Sequence, residues 1–290
     1  MTELRHYFAP TSLDQAVECL KDGDVTILAG GTDLTPQAQA GRVKIKHTLM
    51  NIRHIPQLSG ITLEGKEIRI GALATITEIM EHPLVRQHLP VLVEACDHFA
   101  SDQIRNAGTI GGNICNASPA GDTLPPLLAL EAELELASLT KTGAVTTRRV
   151  SIDGFFTGPG RSQRQPNELL TAVRVPVATG NRVSRFHKSG TRPALDISTI
   201  AIAFAAQRDS AGRLHGVRLA LGAVAPTPMR ARRAEALLEG KVLDAALAEA
   251  AAQATAAEAQ PIDDVRASAW YRKELLHNVT RRMLSHAIQD

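Results

Sequence analysis

The stretch Val25-Thr-Ile-Leu-Ala-Gly-Gly-Thr-Asp-Leu34 begins as a short β-branched run and ends in two glycines with small polar neighbours. The run predicts a strand, and Gly30-Gly31 allows a sharp turn in which the backbone can approach a ligand closely. Successive N–H groups in such a turn can form a nest that binds an anion, and Thr32 adds a hydroxyl donor. For this loop alone, a plain tight turn is the more common explanation.

A second stretch, Thr109-Ile-Gly-Gly-Asn113, has the same chemistry. It lies within residues 105–122, where Gly, Asn, Ser and Pro predict a loop. Two such loops in one chain are harder to explain as turns, and together they favour a diphosphate site. Neither loop is a GxGxxG motif with an acidic residue downstream, and no GxxxxGK[ST] motif is present, so the pattern supports neither a Rossmann site nor a P-loop.

Composition describes an ordinary globular protein. The chain has 290 residues, 44% of them hydrophobic and 21% charged, with a net charge of +2. This length predicts more than one domain, and the small net charge gives no reason to expect nucleic acid as a partner. No apolar run approaches the roughly 18 residues of a membrane span, and the N-terminus lacks a signal-peptide pattern, so we expect a cytoplasmic protein.

The distribution of cysteine and histidine argues against a metal site. The three cysteines form no CxxC pair, and an iron–sulfur cluster usually requires four thiolates. His47, His54 and His187 do not have the spacing of metal ligands. We therefore predict no metal ligands, and no catalytic residues can be assigned from spacing.

Hydrophobic periodicity and chain breaks divide the sequence into three segments, 1–55, 56–178 and 179–290. The first segment reads as a helix after Ser12 and two strands; the second mixes strands with short helices. The third segment has three strands followed by Ala-rich helices, which indicates an α+β arrangement.

These motifs resemble those of the flavin subunits of molybdenum hydroxylases, the medium subunits of xanthine and carbon monoxide dehydrogenases. The resemblance rests on both glycine loops and continues through Asn116-Ala-Ser-Pro-Ala-Gly-Asp122, Phe186-His-Lys-Ser-Gly-Thr-Arg192, Leu221–Pro228 and Asp264–Arg272, in family order. It implies FAD as cofactor. It also implies an α+β fold: an FAD-binding domain of two α+β subdomains (1–55 and 56–178, vanillyl-alcohol-oxidase type), then a small C-terminal domain with a three-stranded sheet and helices.

The resemblance also implies which residues contact FAD. Four of them have a simpler structural explanation: Phe99 and Leu170 as core residues, Asp122 as a helix N-cap, and Lys188 as a solvated strand end. The complete implied set comprises Ile27, Leu28, Ala29, Gly30, Gly31, Thr32, Asp33, Leu34, Phe99, Gly108, Thr109, Ile110, Gly111, Gly112, Asn113, Asp122, Leu170 and Lys188.

Partners and reaction follow from the same resemblance. Electrons from a large molybdenum-cofactor subunit would pass through [2Fe–2S] clusters of a small subunit to FAD here, and then to NAD⁺ or another acceptor. The expected assembly is a dimer of heterotrimers. Two alternatives stay open at this point: a self-sufficient FAD-dependent oxidoreductase on the same fold, and a structural subunit that has lost FAD.

Overall fold

The computed structural model describes residues 4–21, 23–178, 180–192 and 195–289. The first sheet has three parallel strands in the order β1-β3-β2. Ser12 caps the first helix, as its sequence position predicts, because its hydroxyl accepts the N–H of Gln15 at 3.3 Å. The elements of this part are β1 (His6–Phe8), α1 (Leu13–Leu20), β2 (Val25–Leu28), α2 (Leu34–Gln39) and β3 (Thr48–Asn51).

The second sheet is antiparallel, and short helices pack on it. Its first two strands are β4 (Ile61–Glu64) and β5 (Glu67–Gly71), after a 3-10 turn at Pro56–Leu58. Six helices follow: α3 (Ile76–Glu81), α4 (Pro83–His88), α5 (Pro90–Asp97), α6 (Asp102–Arg105), α7 (Ile110–Asn116) and α8 (Leu124–Ala129). The remaining strands are β6 (Glu133–Leu139), β7 (Val145–Ser151), the small hairpin β8 (Phe156–Gly158) and β9 (Arg161–Ser162), and β10 (Leu169–Pro176). The sheet order is β4-β5-β10-β6-β7.

The third sheet contains the three expected long strands and a two-residue edge strand, in the order β11-β12-β13-β14. All of its pairings are antiparallel. Its elements are β11 (Arg182–Ser189), β12 (Ile200–Arg208), β13 (Leu214–Gly222), β14 (Met229–Arg230), α9 (Arg232–Leu238), α10 (Ala245–Glu258) and α11 (Ala269–Gln289).

Alternation along β12 places the third sheet between two cores. Ala201, Ala203 and Ala205 belong to the core shared with α5 and α8. Ile202 and Phe204 point to the opposite face, into a second core under the C-terminal helices. This two-residue period is the normal geometry of a strand that is covered on both faces. The small alanine side chains allow the helices of the second part to approach β12 closely.

Candidate functional site

The first glycine loop leaves β2 and enters α2 in contact with the second glycine stretch. A Cβ atom at Gly30 would lie 2.0 Å from the carbonyl oxygen of Ala107, so a larger residue cannot occupy this position without displacing backbone. Gly31 has a φ of +74°, the left-handed region that glycine adopts without strain. Thr32 lies beside Gly108. The structure therefore brings together two stretches that lie far apart in sequence.

The first loop presents a row of unused hydrogen-bond donors. Within the described part of the chain, none of the backbone N–H groups from Ala29 to Leu34 donates to a protein acceptor. A concave run of such groups binds anionic oxygens. The loop therefore has the donor chemistry that a diphosphate requires, which is the fit expected for FAD.

The second glycine stretch differs from the prediction. Residues 105–122 were predicted as a loop, but they contain α7, which starts immediately after Thr109. The Thr109 hydroxyl caps this helix by accepting the N–H of Gly112 at 3.0 Å. The prediction was wrong because two glycines weaken the helical signal, whereas this cap and contacts with Ala72 and Ala74 hold the helix in place.

The amides of α7 are largely engaged within the protein. Ile110 donates to the carbonyl of Ala74 at 3.0 Å and Gly111 donates to the carbonyl of Ala72 at 2.9 Å. A Cβ at Gly111 would lie 2.7 Å from the same Ala72 oxygen. The structure thus gives Gly111 a packing role, and the backbone of Gly111 is not a free anion donor. Thr109 keeps an N–H group with no acceptor among the described residues.

Asn113 lies one turn further along α7 and links it to the next segment. Its side-chain oxygen accepts the hydroxyl of Thr123 at 2.7 Å, which leaves its amide nitrogen as the donor on this side of the site. The residue before Thr123 is Asp122, so α7 places Asn113 next to the acidic member of the predicted set.

Asp122 and Lys188 contact each other. Nζ of Lys188 donates to one Asp122 oxygen at 2.7 Å and to the carbonyl of His98 at 3.1 Å. The hydroxyl of Ser198 donates to the other Asp122 oxygen at 2.7 Å. Burial raises the pKa of Asp122, and the nearby Lys188 ammonium opposes that rise.

Two of the simpler structural explanations are thereby excluded. Asp122 does not cap α8, whose N-cap residue is Thr123, with no side-chain cap bond. The Lys188 side chain is only 7% exposed, so it is not a solvated strand end. Ser198 was missed because a single serine carries no motif. Its position just before the apolar run of β12, within the stretch after Asp196, was the only signal.

Phe99 and Leu170 lie in or against the main core. Phe99 packs against that core from a half-buried position, and its carbonyl accepts the guanidinium of Arg105 at 2.8 Å. Leu170 is 3% exposed and pairs with Leu136 across β10 and β6. The carbonyl of the following residue, Thr171, accepts the N–H of Ala72 at 2.9 Å, which places Leu170 near the start of α7. A contact of either residue with the cofactor remains a prediction.

The fold and the donor loop are those of a protein with a built anion site, and comparison with known proteins identifies the family. Residues 2–178 match the family described as "FAD binding domain in molybdopterin dehydrogenase". Residues 185–287 match the "CO dehydrogenase flavoprotein C-terminal domain". The chain belongs to the FAD-binding subunits of xanthine dehydrogenase- and carbon monoxide dehydrogenase-type molybdenum hydroxylases. The expected family, the α+β fold and FAD as cofactor are confirmed.

Individual relatives cover nearly the whole chain. The putative xanthine dehydrogenase FAD-binding subunit XdhB of Escherichia coli K12 is 34% identical over 291 residues, 99% of this chain and 97% of the relative. The carbon monoxide dehydrogenase medium chain of Hydrogenophaga pseudoflava is 33% identical, with 97% and 96% coverage. A solved carbon monoxide dehydrogenase from the same organism superimposes with a TM-score of 0.91 at 34% identity, covering 98% of this chain and 97% of that one.

Two further features bear on the class of site. Among the residues that the structure describes, no helix is long and apolar enough to cross a membrane. No group of three or more His, Cys, Asp or Glu side chains in the same residues is placed to hold a metal ion.

Proposed function

We propose that this chain receives electrons from an iron–sulfur partner subunit and passes them, through its FAD, to NAD⁺ or another soluble acceptor. The observation that carries the proposal is the row of N–H groups from Ala29 to Leu34, which donate to no acceptor among the described residues and lie next to Ala107 and Gly108. Bound FAD would supply the chemistry, because a flavin accepts single electrons and can release two together. The protein supplies binding, orientation and charge.

We assign the diphosphate to the first loop and place the second stretch against the same cofactor. Thr109 would donate through its N–H group and Asn113 through its side-chain amide, while Ile27 and Leu28 supply an apolar approach from β2. The full proposed contact set is Ile27, Leu28, Ala29, Gly30, Gly31, Thr32, Asp33, Leu34, Phe99, Gly108, Thr109, Ile110, Gly111, Gly112, Asn113, Asp122, Leu170 and Lys188.

The Asp122–Lys188 pair would hold a cation at a fixed position beside the ring. An ammonium group near a flavin favours the anionic reduced form. Its partner carboxylate reduces that effect, so we propose that the pair chiefly orients Lys188. We also propose the division into 1–55, 56–178 and 179–290, which assigns one of the three larger sheets to each unit and the β8–β9 hairpin to the second.

The proposed partners are a large molybdenum-cofactor subunit and a small [2Fe–2S] subunit, in a dimer of heterotrimers. Relatives bear names such as "medium chain" and "medium subunit". The stretch 262–271 supports a partner surface, since it exposes Ile262, Val265 and Trp270 by 68%, 100% and 70%. Apolar side chains exposed close together commonly mark an interaction site.

The first experiment tests FAD binding. The purified chain should show flavin absorption bands in the visible range, before or after addition of FAD, and release one FAD per chain on denaturation. If no flavin bands appeared after addition of FAD, the chain would not bind FAD and the proposed function would be wrong.

The second experiment tests electron relay. The holoprotein alone should be reduced by NADH if NAD⁺ is its acceptor, and co-expressed large and small subunits should co-purify with it. Substrate oxidation by the isolated chain, without molybdenum or iron, would support a self-sufficient oxidoreductase and contradict the proposed role.

A further inference from the structure

A groove with cationic walls lies on the helix-covered face of the third sheet. Arg185 and His187 form one wall, and Arg282 and His286 form the other. Arg185 pairs with Phe204 across β11 and β12. Because directly paired residues share a face, the strand wall points toward α11 and away from Lys188. The cationic groove is therefore separate from the proposed flavin site.

Regular spacing on both elements creates the groove. Arg185 and His187 are two residues apart on β11, which puts them on one face of the strand. On α11, Arg282 and His286 are four residues apart and Met283 lies between them, so they share one face of the helix. The groove is open to solvent and has a volume of about 250 Å³, and the described residues that line it include no Asp or Glu.

The two other arginines of α11 have acidic partners, whereas within the described ranges Arg282 has none. Arg281 lies 3.6 Å from Glu249, and Arg272 lies 2.7 Å from Asp264. Among the described residues, no carboxylate forms an ion pair with Arg282. No ion pair with a carboxylate of the described residues therefore neutralises the positive charge of Arg282.

The charge of Arg282 affects His187 on the strand wall. Burial lowers the pKa of His187, and the positive charges of Arg282 and His98 lower it further. Its Nε2 atom lies 3.0 Å from the Ser189 hydroxyl. Arg185 donates to the carbonyl of Ser184 at 3.0 Å. Burial raises the pKa of Glu94, whose carboxylate accepts the backbone N–H of Phe186 at 2.6 Å, and the charge of Arg185 opposes that rise. An anion between the walls would offset the repulsion between Arg282 and protonated His187 and so raise the pKa of His187.

We propose that the cationic groove binds the phosphate group of a small molecule. Arginine is suited to phosphate because its planar guanidinium can donate two parallel hydrogen bonds to it. The volume admits a phosphate or a compact phosphate ester, whereas pockets for larger organic ligands usually exceed about 300 Å³. Free phosphate and a phosphate monoester present the same chemistry, so the ligand source is decided by experiment.

The test is a titration of the full-length, FAD-loaded chain followed by NMR of the histidine rings. Inorganic phosphate and AMP are added separately at constant ionic strength. Saturable shifts of the His187 and His286 signals are expected, with an upward shift of the His187 titration midpoint. Tighter binding of AMP would indicate an ester as the ligand, and equal binding would indicate free phosphate.

Two arginine variants provide a matched comparison. Arg282→Gln should weaken phosphate binding by about ten-fold or more, as expected for loss of one charged hydrogen bond. Arg281→Gln, on the neighbouring position but outside the groove, should leave binding unchanged. Both variants should keep their flavin absorption, which separates this result from failure of the proposed FAD site.

Several results would overturn the proposal. One is the absence of saturable shifts, and another is an equal response to sodium chloride. Equal weakening in both arginine variants would point to general surface charge. Shifts with an acidic peptide but not with phosphate would identify a protein-docking surface instead.

Discussion

Asp122 and Lys188 form a buried ion pair whose side chains are 10% and 7% exposed, with the ammonium nitrogen 2.7 Å from the carboxylate oxygen. The pair connects the segment before α8 to β11 of the third sheet. Ser198 and the carbonyl of His98 satisfy the remaining positions around it. A pair of this kind is sensitive to loss of one member, because the other charge remains buried without compensation.

Removing only the lysine should therefore be costly. We expect Lys188→Met to lower the free energy of unfolding of the FAD-free chain by about 3 kcal/mol. The double variant Asp122→Asn/Lys188→Met should lose less than the sum of the two single variants. Urea unfolding of the four proteins measures both quantities.

A matched control is the exposed pair of Lys21 and Glu18, 3.5 Å apart. Lys21→Met should change stability by about 1 kcal/mol or less. Similar losses for Lys21→Met and Lys188→Met would refute the structural role of the buried pair.

Gly30→Ala tests the contact between the two glycine stretches. The new Cβ would meet the Ala107 oxygen at 2.0 Å, so we expect displaced loops and at least a ten-fold rise in the FAD dissociation constant. Gly23→Ala is the control: Gly23 has a φ of +73°, and no atom lies within 4 Å of its Cβ position. It should lose about 1 kcal/mol of stability through backbone strain and retain FAD. Flavin fluorescence titration distinguishes the two.

Thr109 is predicted to act through its hydroxyl as the cap of α7. Thr109→Val should lower the free energy of unfolding by about 1 kcal/mol, the typical cost of a lost N-cap, and Thr109→Ser should restore it. Thermal unfolding of the FAD-free proteins measures the effect. If the serine variant were as unstable as the valine variant, the cap would not explain the helix.

Gly111→Val should affect stability as well as FAD binding. If Gly111 only bound phosphate, the variant would lose FAD without a loss of stability. Its side chain would collide with Ala72, whose oxygen lies 2.7 Å from the Cβ position. We expect loss of FAD together with a lower unfolding temperature, recorded by circular dichroism. Loss of FAD with an unchanged unfolding temperature would instead indicate a direct role for Gly111 at the phosphate.

Asp264 should make the free energy of unfolding depend on pH in the acidic range. Although desolvation opposes it, hydrogen bonds from the backbone of Arg266 and Ala267 and from the Arg272 side chain lower its pKa from 3.8 to about 2. A carboxyl with a lowered pKa in the folded state contributes stability above its unfolded pKa, and that contribution is lost as pH falls toward about 2. The stability difference between wild type and Asp264→Asn should shrink over this interval in urea titrations. If the stability difference between the two proteins did not change with pH, ionisation of Asp264 would not contribute to stability.

The sequence was most informative where a pattern is local. The strand before Gly30 and the alternation in β12 follow from β-branched and apolar residues near each other in the chain. The helix α7 was missed because Gly111 and Gly112 have low helix propensity and their stabilising partners, Ala72 and Ala74, come from another part of the chain.

The geometry of the site could not be predicted from the sequence, because it too depends on contacts between residues that are far apart in the chain. The family resemblance selected both Asp122 and Lys188, but their mutual contact joins residues 66 positions apart. The Ala107 carbonyl against Gly30, and Ser198 against Asp122, likewise depend on how distant segments fold together. No spacing rule encodes such contacts.

The ion pair also bears on how the protein is made. A ribosome delivers Asp122 well before Lys188 and Ser198, so the nascent chain has a carboxylate with no partner until β11 and the residues after it emerge. In a fragment that ends at residue 178, where the matched FAD-binding domain stops, Asp122 would never gain Lys188 and Ser198 as partners. Completion of this region would then be a late step of biosynthesis, and truncated products would be exposed to proteases.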